Sequence, residues 1–530
     1  MIRRKHRIPL LPSTLRPSVI TQDLPFFNTA APARQAHPIT LEALATVIAP
    51  VRKSHFRDQG VTALARDSRK VIAGSVFFAI KGELEDGNTY ISEALRRGAI
   101  AIVTDQPEAK AVQGASTLWV KDARQAMALA SRTFHNSPDT HLHLVGITGT
   151  NGKTTVSRTV KHLLDEGANR CGLIGTIDYI VGKRTIPSAR TTPESEEICR
   201  LLASMVQEGC SKAVMEVSSH GLSQHRVEGL HFDTVAFLNL TQDHLDYHGD
   251  MQSYFHAKAR LFDGRHQPLP RHAVIHADDP YGKKILACLA PGIRAITFSA
   301  GSAADFCAEN IKVNTEGSRF RLNTPTGSHE VFCHLLGAYN VENVLAALAC
   351  GYASGASMES LIESLHSLPP VPGRLENIRH GQPYLVVVDY AHSPDALEKV
   401  LATLSPLVDG KIKVVFGCGG DRDRGKRPLM TRAVCRHAQE VWATSDNPRS
   451  EAQERIFEDM LKGVEPHTRM HFIKDRESAI RDAILSAAPG DAVLIAGKGH
   501  ETYQETHHTV VPFDDRQVAR TVLKEQGFHQ

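Results

Sequence analysis

Leu142-His143-Leu144-Val145-Gly146-Ile147-Thr148-Gly149-Thr150-Asn151-Gly152-Lys153-Thr154-Thr155 is the stretch whose reading decides the fold. Residues 142–147 form an apolar run of strand length, and residues 153–166 suit a helix. Between them lies a glycine-bearing turn that ends in Gly-Lys-Thr. A strand, such a turn and a helix are the setting in which backbone N–H groups close around phosphate oxygens, aided by the partial positive charge of the helix N-terminus. Lys153 is placed to reach the outer phosphates and Thr154 to hold Mg²⁺. The generic phosphate loop would put a glycine at 147; here Ile147 stands there, with Gly146 one place early. That spacing argues against a motor or a GTPase-type switch.

Working outward, strand signals recur at 213–217, 234–240 and 273–276. Beyond the proline-rich segment 368–373 they return at 385–388, 413–416, 440–443 and 492–496, with helix-compatible stretches between them. Strands alternating with helices imply parallel sheets. Towards the N-terminus, a strand signal at 74–80, a helical one at 91–98 and a strand at 99–103 make a smaller unit of the same kind. The expected class is therefore α/β in three domains: a small α/β unit over 39–138, a central P-loop ATPase domain with a mainly parallel sheet over 139–368, and a Rossmann-like domain over 369–530. Residues 1–38 are basic, with no acid before Asp23. They read as a disordered extension or an over-long start, with an organelle transit peptide as the alternative.

The 61 basic and 58 acidic residues leave a net charge of +3, without the excess of a dedicated nucleic-acid binder. Nine cysteines fall between Cys171 and Cys435 without a CxxC pair, as expected of reduced thiols in a cytoplasmic protein. The 28 histidines form no compact metal cluster along the chain. No apolar run approaches the roughly 18–20 residues of a membrane span.

Six blocks, taken in order, resemble the Mur ligases and their folylpolyglutamate synthetase relatives over roughly residues 40–516. They are Thr148 to Thr155, Glu216-Val217-Ser218-Ser219-His220-Gly221-Leu222, the run from Asn239 to Gly249, the run from Leu336 to Asn343, Gly373-Arg374, and Asp389-Tyr390-Ala391-His392. The resemblance implies an ATP-dependent, ADP-forming amide ligase of cell-wall peptidoglycan synthesis, working on small molecules and expected as a monomer. By the same resemblance Gly149, Thr150, Asn151, Gly152, Lys153, Thr154 and Thr155 hold ATP with Asn340, Arg374 and Asp389. Thr154, Glu216, His244 and a carbamylated Lys258 (N6-carboxylysine) approach Mg²⁺, and Lys153, Glu216, His244 and Lys258 form the catalytic set. Read alone, Glu216 is a strand-end acid, imidazole is not a preferred Mg²⁺ ligand, and Lys258 is a solvated lysine on an amphipathic helix. The family often has Asn-x-Asp-Asp where this chain has His276-Ala277-Asp278-Asp279, which leaves the part of His276 open. No residue stands out as general base.

The first unit, with Asp67-Ser68-Arg69, Gly82 and Asp86-Gly87, resembles the UDP-binding domain of the tripeptide-forming branch, with Ser68 as the uracil contact. Thr191, Thr192, Ser218, Gln224 and Arg226 match positions that hold the muramoyl-dipeptide of UDP-MurNAc-L-Ala-D-Glu. Asp446-Asn447-Pro448-Arg449 has the form seen in members that add meso-diaminopimelate. That amino acid ends in a second carboxylate-bearing centre, whereas lysine ends in a bare ammonium. A planar guanidinium grips a carboxylate through two bonds and repels an ammonium. Arg422, Asp446, Asn447, Gly497 and Glu501 complete that expected site, with Glu501 facing the distal ammonium. The alternatives are a lysine-adding ligase of the same family and a non-catalytic, plastid-type nucleotide-binding protein.

Overall fold

The computed structural model describes residues 39–82, 85–165, 170–507 and 509–529. The expectations for residues 1–38, and for the last residue of the helix after the phosphate loop, lie outside them.

Three large sheets divide the chain, and a separate two-stranded hairpin, Tyr503–Thr506 with Thr509–Pro512, follows them. The first has the strand order Arg52–Ser54, Ser116–Trp119, Ala99–Thr104, Ser75–Ala79, Ala63–Ala65, parallel except at the Arg52–Ser54 edge. Every residue of Ser75–Ala79 is buried, which explains why it reads as an unbroken apolar run. Helices Leu41–Ile48 and Ala123–Phe134 cover one face and Ile91–Arg96 the other.

The second sheet has eleven strands. Its centre is parallel: His143–Thr148 lies between Cys210–Glu216 and Thr234–Phe237, followed by His272–His276 and Arg294–Ser299. Helices Lys153–Leu164 and Ala338–Ala353 fill one side, and Ser195–Gln207 and Met251–Ala259 the other. Both margins are antiparallel. A hairpin, Asp178–Val181 with Arg184–Pro187, edges one end, and the meander Phe306–Asn314, Gly317–Thr324, Gly327–Cys333 edges the other.

The third sheet runs Glu376–Asn377, Leu385–Asp389, Ala492–Ala496, Ile412–Cys418, Glu440–Ser445, Arg469–Phe472, and only Glu376–Asn377 is antiparallel. Helices Pro394–Leu404 and Lys426–Cys435 pack on one face, Arg476–Leu485 and Asp515–Glu525 on the other. Arg476 is fully buried. It is paired with Asp515 at 2.7 and 2.8 Å and donates to the carbonyls of Ser445 and Ala496 at 3.2 and 2.9 Å. One guanidinium thus ties together the carboxyl ends of two strands.

The expected α/β class and mainly parallel central sheet are present. In open sheets of this kind ligands collect at the carboxyl ends of strands. Thr148, Glu216, His276, Asp389 and Ser445 each close a strand, and the candidate residues cluster at or just after those ends.

Candidate active site

Gly152 opens the helix Lys153–Leu164 with φ +86°, and a Cβ there would run into the Asn343 side chain. The turn needs glycine for both reasons. The block after strand Thr234–Phe237 pins the loop from outside: Asn151 N–H donates to Asn239 Oδ1 at 2.9 Å and Thr150 N–H to the Asn239 carbonyl at 3.0 Å. Lys153 curls back, its ammonium donating to the carbonyls of Gly149 and Thr150 at 2.9 Å each. Burial pushes its pKa down, and the Glu216 carboxylate opposes that shift. Thr155 lies buried one position further into the helix.

Glu216 is 1% exposed. It accepts from Thr154 Oγ1 at 3.1 Å, Ser157 Oγ at 3.4 Å, Thr176 N–H at 2.9 Å and Thr176 Oγ1 at 2.8 Å. The 3.1 Å between the Thr154 hydroxyl and the Glu216 carboxylate is close to the ~3 Å edge of an octahedron with bonds of about 2.1 Å, so these two hard oxygens fit Mg²⁺. Thr176 passes the chain on to Thr191, 3.0 Å between hydroxyls. Nothing in the sequence pattern marked Thr176.

Lys258 departs from the solvated lysine that its sequence setting suggests. It is 1% exposed, donates to the Gly149 carbonyl at 2.9 Å and lies 4.8 Å from the Tyr254 ring. The phosphate loop itself covers this helix face. Burial, with Lys153 as a like charge, holds the Lys258 pKa well below the ordinary lysine value. His244 sits at φ +52°, exposed at the mouth, its ring edge-on to His220 at 4.9 Å. Desolvation by the groups around the ring, against the pull of Asp243, lowers its pKa, and Lys153 and Lys258 push the same way. His248 stacks on Tyr254 at 4.9 Å, and burial takes its pKa down to about 4.

Asn340 turns inward, donating to the Leu336 carbonyl at 2.8 Å and accepting from Asn343 at 2.8 Å; Asn343 is the side chain against the loop. Arg374 lies over the Tyr390 ring at 4.8 Å, its Nε buried without a hydrogen-bond partner among the described residues. Asp389 accepts from the N–H groups of Leu375 and Ala391 at 2.7 and 2.8 Å and so fixes the loop behind Arg374. His276 donates from Nδ1 to the Leu238 carbonyl at 2.9 Å and stacks on Phe298 at 4.8 Å; its Nε2 is buried without a hydrogen-bond partner among the described residues, 3.9 Å from the carboxylates of Asp278 and Glu342.

On the substrate side, Ser68 is buried and donates to Glu93 at 2.9 Å. Thr192 Oγ1 joins the Glu216 carbonyl to the Ser218 N–H, 2.9 Å each. Arg226 donates to the Thr192 carbonyl and to Gln224 at 2.7 Å each. Three arginines, Arg66, Arg190 and Arg226, converge on Glu194. Arg66 and Arg190 escaped the sequence reading, although Arg190 immediately precedes Thr191.

In the third domain, Arg449 adopts φ +53° and donates to the Gly420 carbonyl at 2.8 Å, with Glu505 at 3.2 Å. A Cβ on Gly419 would meet Arg449 Nη1 at 3.3 Å and Arg422 Cγ at 3.6 Å, so the two arginines flank one bare stretch of backbone. Gly497 approaches the Asp446 carboxylate, which a Cβ would meet at 2.8 Å. Asn447 donates to Glu501 at 3.1 Å, and the buried Lys498 donates to both at 3.0 Å. Lys498 stands between Gly497 and Gly499, and nothing in the sequence singles it out. The histidines are likewise ungathered along the sequence, yet His225 and His266 meet on Glu228, which folding brings to His266 across a gap of 38 residues.

Family profiles match three segments: "Mur ligase family, catalytic domain" over 60–135, "Mur ligase middle domain" over 147–351, and "Mur ligase, glutamate ligase domain" over 373–499. A protein of Geobacillus kaustophilus (strain HTA426) named UDP-N-acetylmuramoyl-L-alanyl-D-glutamate--2,6-diaminopimelate ligase is 45% identical over 478 residues, covering 89% of this chain and 97% of its own. Its namesake from Thermosynechococcus vestitus is 44% identical over 485 residues, covering 91% and 97%. A solved structure titled as the same ligase superposes with a TM-score of 0.70 at 35% identity, covering 93% of this chain and 100% of that one.

Proposed function

The chain belongs to the Mur ligase family, and on that premise we propose that it joins meso-diaminopimelate to the D-glutamyl carboxylate of UDP-MurNAc-L-Ala-D-Glu, consuming ATP and releasing ADP and phosphate. It is an ATP-dependent amide ligase of peptidoglycan precursor synthesis. The observation that carries the choice of amino acid is Arg449, held by Gly420 and Glu505 and flanked by Arg422 on the bare Gly419 backbone.

The reaction needs no protein nucleophile. The D-glutamyl carboxylate attacks the γ-phosphorus, ADP leaves, and an acyl phosphate forms. The amine then attacks the acyl carbon and phosphate leaves. The loop N–H groups, Lys153 and Arg374 hold and neutralise the phosphates. Lys153 donates to two carbonyls of its own loop; phosphate oxygens are stronger acceptors for the same protons. Thr154, Glu216, His244 and a carbamylated Lys258 would hold Mg²⁺, which neutralises phosphate charge when bound. The depressed pKa of Lys258 leaves an amine free to add CO₂ and lose a proton. Arg226, Gln224 and Thr192, already bonded to one another, position the dipeptide. The reading includes a monomer working in the cytoplasm, and the nine unpaired cysteines fit a reducing compartment.

The test is a product assay by mass spectrometry with UDP-MurNAc-L-Ala-D-Glu, ATP, Mg²⁺ and equal diaminopimelate and lysine. The diaminopimelyl product alone is expected. Lysine incorporation would overturn the choice of amino acid, and no product from any amine would overturn the ligase.

A further inference from the structure

The turn after helix Ser219–Ser223 reverses at His225, whose φ is +56°. That conformation is unusual for a residue other than glycine. It brings His225 Nδ1 to 2.9 Å from Glu228 Oε2. From the other side, His266 Nδ1 lies 3.2 and 3.3 Å from the two oxygens of the same carboxylate. The side chain of Glu228 is 5% exposed, while both imidazoles remain partly open to solvent. One potential donor atom from each of the three side chains falls within 4.8 Å of the other two. The main chain locks the two segments together, the Gly229 N–H donating to the His266 carbonyl at 2.9 Å.

Two imidazoles and a carboxylate are the donor set of Zn²⁺-type dications, bound at about 2.0–2.2 Å with one position left for water. In a tetrahedral arrangement such ligands stand roughly 3.3–3.5 Å apart. The nitrogen–oxygen separations here are slightly shorter, so a small opening admits an ion. Mg²⁺ and Ca²⁺, which prefer oxygen ligands, are poor occupants of a site with two imidazoles among its three donors. The surroundings also suit a metal. Gln125 Nε2 donates to Glu228 Oε1 at 2.9 Å and orients the carboxylate, and Asp122 lies 3.7 Å from His225 Nε2, where it can orient the ring. Both come from the start of helix Ala123–Phe134 in the first domain. Outer-shell partners of this kind orient metal ligands and strengthen them.

We propose that His225, Glu228 and His266 form a binding site for a transition-metal dication, exemplified by Zn²⁺, that braces the seam between the first and central domains. His225 stands between Gln224 and Arg226, which bond to each other at 2.7 Å. An ion here fastens the loop that carries both residues and, through Gln125, ties that loop to the first domain. This site is separate in chemistry from the oxygen-rich Mg²⁺ position at Thr154 and Glu216.

The experiment titrates the full chain, stripped with chelator, with Zn²⁺ and with Co²⁺ in the presence of millimolar Mg²⁺. Calorimetry is expected to find one site that Mg²⁺ does not occupy, and Co²⁺ to give the visible absorption of a low-coordinate nitrogen–oxygen site. His266→Gln and, separately, Glu228→Gln are expected to weaken that site by at least roughly tenfold, since even outer-shell partners are worth about 10–100-fold in metal affinity. Zn²⁺ is expected to raise the thermal midpoint of the wild type and not of the variants. A wild-type chain with no such site, or variants that bind Zn²⁺ as the wild type does, would overturn the proposal. The Co²⁺ spectrum of the wild type decides the matter even where a variant folds poorly.

Discussion

At the scale of single residues, the site stands on charges held out of water. Glu216 accepts four hydrogen bonds, two of them from Thr176. Glu216→Gln keeps the shape, removes the charge and turns an N–H₂ towards groups that are themselves donors. Amide formation should fall about a hundredfold or more, the scale on which a preorganised electrostatic contact is worth roughly 3 kcal/mol. Coupled phosphate release measures this, and unimpaired turnover in a folded variant would remove Glu216 from the site. Arg449→Lys keeps the charge but loses the fork that grips a carboxylate through two bonds. We expect kcat/KM for diaminopimelate to drop by at least about tenfold, mostly through KM. Lys258 gives a pH prediction. Its folded pKa lies well below the value near 10.5 of an unfolded lysine. Between those two values the unfolded chain binds the extra proton, so this group's contribution to stability rises with pH through that window. The carbamate needs the neutral amine, so activity should fall as pH drops through the folded pKa. Activity should also fall in CO₂-free buffer and return with bicarbonate. Lys258→Met should be inactive with or without bicarbonate, and indifference of the wild type to bicarbonate would count against the carbamate.

At the scale of elements, strand ends do the positioning, and their stabilising contacts can be tested apart from chemistry. Arg476 and Asp515 form a wholly buried pair across two helices of the third domain. Arg476→Met strands the Asp515 carboxylate. A loss of about 3–5 kcal/mol is expected, read as a lower urea midpoint, and pairing it with Asp515→Leu should restore most of that. A single variant as stable as the wild type would refute this. The same elements show what could be read from sequence. His143–Thr148, the part of Cys210–Glu216 from Ala213 on, and Ala492–Ala496 read as apolar runs because both faces of a parallel sheet are covered. The meander from Phe306 to Cys333 did not. Its exposed side alternates with its buried one, as in Glu309, Lys312, Arg319 and Arg321, so no continuous run appears. Residues inside recognisable motifs, such as Lys153 and Arg449, were legible one by one. Thr176, Arg66 and the His225–His266 pairing were not, because their chemistry arises from contacts between segments far apart in the chain. The burial of Lys258 was hidden for the same reason: the loop that covers it is about a hundred residues upstream.

At the scale of the whole molecule, the three sheets offer separate parts of one site, and the short linker into the third domain decides how they meet. Gly373 sits at φ +63°, and a Cβ there would collide with the backbone of Gly499 and His500. Its N–H donates to Glu376 at 2.8 Å, and Glu376 is held in turn by Arg520 at 2.7 Å. The linker is therefore fastened to the third domain at both its backbone and its far side, with Arg374 over Tyr390 as the next residue. Tyr390 also lies against His500, at 4.9 Å between rings. Moving Gly373 thus moves Arg374 and the turn that carries Gly497 and Glu501 together. Gly373→Ala combines an unfavourable backbone conformation, worth about 1 kcal/mol, with a clash that only a shift of the linker can relieve. Val371 and Leu375, on either side of the linker, are packed into the central and third cores, but Gly373 itself belongs to neither, so the melting of those cores should change less than catalysis. What should change is assembly of the complete site: KM for ATP is expected to rise and kcat to fall, each by roughly tenfold, because ångström-scale misplacement of reacting groups costs up to about a hundredfold. Small-angle scattering with an unreactive ATP analogue and the nucleotide-linked dipeptide provides the structural readout. The wild type should compact on adding both ligands and the variant should compact less. A variant that compacts fully and keeps its KM would show that the linker is a passive tether, and the placement of Arg374 would then have to come from the third domain alone.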